Sequence, residues 1–216
     1  MLIRSLRSGY KKGLRGASSG LQSNFFYETS WVVFFILFLA FIKLSVLSFY
    51  LIPSESMLPN ILAGDRIMTN KLAYGLWLPF ANKPFLHWST PKRGDVILFH
   101  VPDEQGTFIK RVIGLSGDTV TFKKGILFIN GEIYKEQGIL TEPEPDQTFF
   151  ESRRFIVPPH SVFVLGDNRD HSVDSRVFGY VPENFIYGKA NFIFFSTEGS
   201  KSLLPQFRTE RFFKSL

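Results

Sequence analysis

The run Trp31–Ile52, WVVFFILFLAFIKLSVLSFYLI, constrains this chain more than any other segment: only Lys43, Ser45 and Ser48 interrupt 22 otherwise apolar residues. As a helix rising about 1.5 Å per residue it reaches roughly 33 Å, enough for a hydrocarbon core of about 30 Å. That length, with apolar side chains all round, favours a membrane anchor over a buried core helix. A lysine in mid-helix costs about 2.5–3.5 kcal/mol, which so many Phe, Leu and Ile residues offset, helped by snorkelling. A cleaved leader fits poorly, because the run starts about 30 residues in, is too long, and no small-residue cleavage site follows. Arg4, Arg7, Lys11, Lys12 and Arg15 precede the run against Glu28 alone. This cation excess puts the N-terminus in the cytoplasm and the body outside.

The net charge of +6 would otherwise raise the question of a nucleic-acid partner. Its distribution answers it. The end from Gly199 carries Lys201, Arg208, Arg211 and Lys214 against Glu210, while residues 52–198 hold 15 Lys and Arg against 17 Asp and Glu. The body is nearly neutral and shows no basic face, so nucleic acid is not expected as a partner. Zero cysteine excludes thiol catalysis, iron–sulfur clusters and thiolate zinc sites. His87, His100, His160 and His171 show no metal-ligand spacing, so neither a metal nor another cofactor is expected.

Beyond Ile52 the pattern changes to short β-branched and aromatic runs: RIMTNKLAYG, GDVILFHV, TFIKRVIGL, DTVTFKKGILFINGEIY, RRFIVP, SVFVLGD and KANFIFFS. Asn130-Gly131 between apolar runs signals a type I′ hairpin. No amphipathic helix of three turns stands out between residues 60 and 198. The reading is a mainly β, antiparallel domain of about 150 residues. The chain divides into a basic N-terminus (1–30), an anchor (31–52), a β domain (53–198) and a basic tail (199–216). Two segments read as loops. Leu76–Pro91 is aromatic, and is either core or flap or a patch at the membrane interface; Gln137–Glu151 is acidic. The tail is either a surface helix on anionic lipid or a last segment packed on the β domain.

Three segments carry candidate chemistry. Ile52-Pro53-Ser54-Glu55-Ser56-Met57-Leu58-Pro59 follows the anchor, and its serines alone would be turn chemistry. Phe108-Ile109-Lys110-Arg111 puts a lysine in an apolar strand, which alone would be an edge charge. Gly166-Asp167-Asn168-Arg169-Asp170-His171-Ser172-Val173-Asp174-Ser175-Arg176 follows SVFVL, and its charges can neutralise one another in a self-bonded loop.

Taken in order, PSESMLP, GDRIMTNKLAYG, KRGDVILFHVP, FIKRVIGLSGD and GDNRDHSVDSRVFGYVP resemble the motifs of bacterial signal peptidase I, from the anchor to about Ser196. The resemblance implies a partly open, barrel-like antiparallel β-sheet behind a single N-terminal transmembrane helix, in the bacterial cytoplasmic membrane, with its active site facing the bilayer. Its implied activity is the removal of N-terminal signal peptides from exported preproteins after small-x-small (Ala-x-Ala) sites. Implied partners are signal peptides, the lipid bilayer and the secretion translocon. Position by position, Ser56 matches the nucleophile and Lys110 the general base. Ser54 matches the oxyanion-hole hydroxyl and Ser172 the hydroxyl that orients the lysine. Asp167, Asp174, Arg176 and Arg111 match bracing ion pairs, and Ile52, Pro53, Phe108 and Ile109 match positions lining the substrate pockets. A lysine serves as a base only when apolar burial lowers its pKa from about 10.4. Strand alternation turns Arg111 away from Lys110. Glu55 departs from the glycine common between the two serines; a carboxylate there would favour charged Lys110 unless it points to solvent. His171 is expected to have no catalytic role. The rival readings are a self-cleaving repressor-type Ser–Lys protein, a specialised pilin or conjugation maturase, and a non-catalytic membrane-anchored assembly factor.

Overall fold

A computed structural model of the chain describes residues 29–43, 45–77, 84–101, 106–123, 125–135, 139, 153–198 and 206–216. The chain divides into two units, Met1–Lys43 and Leu44–Leu216. In the first, residues 29–43 are helical, with exposed apolar side chains, and Phe34 stacks on Phe38 one turn on, their centroids 6.3 Å apart. This helix spans about 22 Å; among the described residues no helix is long and apolar enough to cross a membrane. Residues 1–28, most of the basic N-terminus, lie outside the described residues.

The predicted anchor needs a correction at its far end. Leu47–Leu51 is strand β1, paired antiparallel with β2 (Asp65–Asn70). Leu47-Ser48-Phe49-Tyr50-Leu51 suits either state by hydrophobicity. The free edge of β2, which satisfies one side of the β1 backbone, decides for strand.

The other strands are β3 (Gly75–Leu76), β4 (Leu86–His87), β5 (Val96–Phe99), β6 (Phe108–Gly114), β7 (Thr119–Lys123), β8 (Ile126–Ile129), β9 (Glu132–Ile133), β10 (Arg154–Ile156), β11 (Ser161–Leu165), β12 (Val181–Pro182), β13 (Ile186–Ser196) and β14 (Lys214–Ser215). The main sheet runs β1-β2-β13-β5-β6-β11-β12, with β14 added to β13; β10-β7-β8-β9 form a second sheet and β3-β4 a ribbon. All pairings are antiparallel, and β1 and β12 end the path without pairing each other among the described residues. The sheet is therefore curled but open, as expected. Bulges in β13, where it pairs with both β2 and β5, add the twist that lets a long strand bend.

The core lies on both faces of β5. Val96 and Leu98 pack with Ile52, Met57 and Ile61, whereas Ile97 and Phe99 join Val112, Val164 and Ile186. That two-sided burial explains why VILF shows no polar alternation. A third cluster around Phe163, Val120 and Leu127 joins the two sheets. Asn130 and Gly131 take φ of 53° and 90°, the left-handed pair the β8–β9 hairpin requires.

The predicted loops resolve in part. Trp77 is buried against Tyr187, at 5.3 Å between centroids, while Phe85, Leu86 and Trp88 are exposed on the β3–β4 ribbon. Residues 78–83, residues 199–205 and all of 137–151 except residue 139 lie outside the described residues. The described end of the tail is not a surface helix. It makes one 3-10 turn, Thr209–Arg211, and returns as β14. Arg211 is buried there, with Nε 3.1 Å from Asp65 Oδ1 and Nη2 2.6 Å from Oδ2 and 2.9 Å from the Asn60 carbonyl.

Candidate active site

Residues 52–61 form a turn held from below by their own apolar members: Ile52, Met57 and Ile61 are all buried in the cluster beneath β5 and β13. The Ile52 N–H donates to the Asp65 carbonyl and the Gly64 N–H to that of Ile52, which fixes the entry. From above, Asn168 grips the crest. Its N–H donates to the Ser56 carbonyl at 3.1 Å and its Nδ2 to the Glu55 carbonyl at 3.2 Å. Ser56 is buried, Ser54 and Glu55 are exposed, and the two serine Oγ atoms lie 3.4 Å apart.

Lys110 comes from the middle of β6, where it pairs with Ile97 of β5. Its Nζ stands 2.7 Å from Ser56 Oγ and donates to the Ile109 carbonyl at 3.0 Å. Only 4% of Lys110 is exposed. Burial pulls its pKa down from 10.5 to about 8, against the opposing pull of the Asp174 and then the Asp167 carboxylate. The lysine therefore loses its proton in a range where a protease can use it.

Arg111, next along β6, points the other way, as alternation requires. It meets Asp167 through Nε at 2.8 Å and Nη2 at 2.7 Å, with Nη1 on the Gly94 carbonyl at 2.9 Å. Asp167 also accepts from Asn60 Nδ2 at 2.8 Å. Asp174 is fully buried, accepts from the Gly166 N–H at 3.1 Å, and pairs through both oxygens with Arg176 at 2.8 Å. The same carboxylate caps the short helix Ser175–Phe178 by accepting from the Arg176 N–H. Each aspartate near Lys110 is thus paired with an arginine.

Ser172 differs from expectation. Its Oγ is buried and has no hydrogen-bond partner among the described residues, and the lysine amine donates to the Ile109 carbonyl and Ser56 rather than to Ser172. Space there is tight: a Cβ on Gly166 would lie 2.1 Å from Ser172 Oγ and 2.5 Å from the Ser56 carbonyl oxygen. The glycine lets the 166–176 loop close down on the 52–61 turn.

These groups open into a cleft of about 370 Å³ lined by Ser54, Ser56 and Lys110. Ile52, Pro53, Phe108 and Ile109, the four residues matched to substrate pockets, all line it, as do Glu55 and His171. Among the described residues no group of three or more His, Asp or Glu side chains is placed to hold a metal ion. The sequence reading missed Asn168, Asn60 and the Arg211–Asp65 pair. Asn168 lies inside the motif already singled out; Asn60 and Arg211 carried no signal, because only the fold brings them to the site.

The comparisons fit this geometry. The family described as Signal peptidase, peptidase S26 matches residues 26–195, which include the helix, the 52–61 turn, β6 and the 166–176 loop. This chain belongs to the signal peptidase family S26. Among related signal peptidases, a probable signal peptidase I-1 of Synechocystis sp. is 41% identical over 152 residues, covering 67% of this chain and 69% of the relative. Signal peptidase I of Pseudomonas aeruginosa is 35% identical, covering 72% of this chain and 68% of its own. Signal peptidase I of Bacillus caldolyticus is 36% identical and is covered over 82% of its length.

Proposed function

We propose that this chain is a membrane-anchored endopeptidase that removes N-terminal signal peptides after small-x-small sites, with Ser56 as nucleophile and Lys110 as general base. The observation that carries the reading is the 2.7 Å approach of the buried Lys110 Nζ to Ser56 Oγ. The unprotonated amine takes the Oγ proton as Oγ attacks the scissile carbonyl. The resulting oxyanion would be met by the Ser54 hydroxyl and the Ser56 N–H. Collapse expels the new N-terminal amine, which takes the proton from Lys110. Water, deprotonated by the same amine, then hydrolyses the ester and frees Ser56. Asp167–Arg111 and Asp174–Arg176 brace the two walls without touching the reacting atoms.

The sheet also suggests how a substrate is presented. Pairing of β11 with β6 stops at Leu165–Arg111, so β11 leaves the Phe108–Lys110 main chain uncovered on that side. An extended peptide can add there as a strand, with small side chains directed at Ile52, Pro53, Phe108 and Ile109. Small residues suit it because Phe108 and Ile109 are large and their backbone is fixed.

The base mechanism sets the pH dependence. Below the Lys110 pKa of about 8, kcat/KM should rise about tenfold per pH unit, and above it level off. A rate unchanged between pH 6 and 9, with chemistry limiting, would remove Lys110 as the base. We place the N-terminus in the cytoplasm and the catalytic unit outside, anchored through the apolar helix that contains residues 29–43. Exposed Phe49, Phe194, Phe207 and Phe213, beside Arg208 and Lys214, give the catalytic unit an aromatic, basic patch suited to an anionic lipid surface. Protease added outside spheroplasts should digest residues beyond 52; full protection of that unit would overturn the topology.

A further inference from the structure

We infer that Glu55 sets a charge preference in the cleft, favouring preproteins with basic or neutral residues just after the cut and disfavouring acidic ones. This rests on reading Ser56 and Lys110 as the catalytic pair.

Glu55 sits between the two serines whose hydroxyls would bracket the scissile carbonyl, so its side chain rises within a residue or two of the cut. Its backbone is fixed: the carbonyl accepts from Asn168 Nδ2 at 3.2 Å and from the Leu58 N–H at 3.1 Å. Its side chain is exposed, lines the cleft, and has no hydrogen bond or ion pair among the described residues. A carboxylate in a solvated turn is ordinarily unremarked, but here its surroundings differ. Asp167 and Asp174, the two acids whose charge reaches Lys110, are fully buried and paired with Arg111 and Arg176. Among the described residues that line the cleft Glu55 is the one carboxylate, and Lys110 offers it no counter-charge when it acts as a base. The residues before the cut are held on the apolar side by Ile52, Pro53, Phe108 and Ile109. The residues after it are therefore the ones left within reach of this uncompensated charge. An acidic side chain there meets like charge and a basic one finds a partner, which discriminates by repulsion as much as by attraction.

The test uses the full chain in detergent and preprotein-derived peptides that share Ala-x-Ala before the cut and carry Lys, Gln or Glu at both of the next two positions. For a partly exposed charge, wild-type kcat/KM should favour Lys over Glu by about fivefold to tenfold at low salt, and by about twofold at 0.5 M salt. In Glu55→Gln the ratio should fall to within about twofold, and in Glu55→Lys it should invert. Retention of the wild-type ratio by Glu55→Gln would overturn the inference, as would a wild type with no preference. If the variants cleave too little to measure, the wild-type ratio decides: one that does not change with salt overturns it. Cleavage that survives in Ser56→Ala would instead condemn the underlying site assignment.

Discussion

Replacing Lys110 by methionine should reduce cleavage by about 10⁴-fold or more and at the same time make the protein more stable. The first effect follows because, on the proposed mechanism, Ser56 loses its general base, and general-base and nucleophile functions that act as a unit fail together. The second follows from burial. The unfolded chain holds the lysine proton up to about pH 10.5, whereas the folded chain releases it near pH 8. Stability of the wild type is therefore penalised fully below about pH 8, on the order of 3 kcal/mol, and the penalty fades as pH rises toward 10.5. Methionine fills a similar volume without a charge. Less the lost hydrogen bonds to Ile109 and Ser56, Lys110→Met should gain about 1–3 kcal/mol at pH 7, raising the midpoint of thermal unfolding by several degrees. That gain should shrink above pH 8. Thermal unfolding measured at pH 7 and pH 10 reads both parts; a variant that unfolds earlier than the wild type at pH 7 would show that the lysine is not held at a cost.

The second large effect is at the far end of the chain. Arg211→Met should destabilise the protein by about 3–5 kcal/mol, because it strands Asp65, which is fully buried. For a chain of this size that lowers the unfolding midpoint by roughly 6–20 °C. Asp65 keeps its contact with the Leu62 N–H at 2.8 Å, but one amide does not replace a bidentate guanidinium. Removing the stranded charge as well, in Arg211→Met with Asp65→Asn, should recover part of the loss. Arg211 also holds the Asn60 carbonyl, and Asn60 in turn bonds Asp167. Loosening this chain should thus lower activity as well as stability. A single variant that costs less than about 1 kcal/mol would show that the tail is only draped on the sheet.

The sequence made the candidate site legible because its residues sit in short contiguous motifs. Ser54 and Ser56 share a turn, Lys110 interrupts an apolar strand, and Asp167 to Arg176 fill one loop. Alternation placed Lys110 and Arg111 on opposite faces, and Asn130-Gly131 gave the hairpin. What stayed hidden depends on contacts between distant residues. Leu47–Leu51 has the hydrophobicity of a membrane helix and becomes a strand because the edge of β2 accepts it. Arg211 reads as one more cation in a basic tail until β14 brings it to Asp65. Ser172 shows the reverse limit: the motif places its hydroxyl near the lysine, yet among the described residues its Oγ has no partner while the Ile109 carbonyl takes the amine.

The central claim is that Ser56, activated by Lys110, cuts preproteins beyond their signal peptides. Its most direct test is to incubate the detergent-solubilised full chain, and its Ser56→Ala variant, with a preprotein and locate the product termini by mass spectrometry. Wild type should give a single new N-terminus after a small-x-small site, and Ser56→Ala should give none above background. Equal cleavage at the same bond by the folded Ser56→Ala variant would contradict the account.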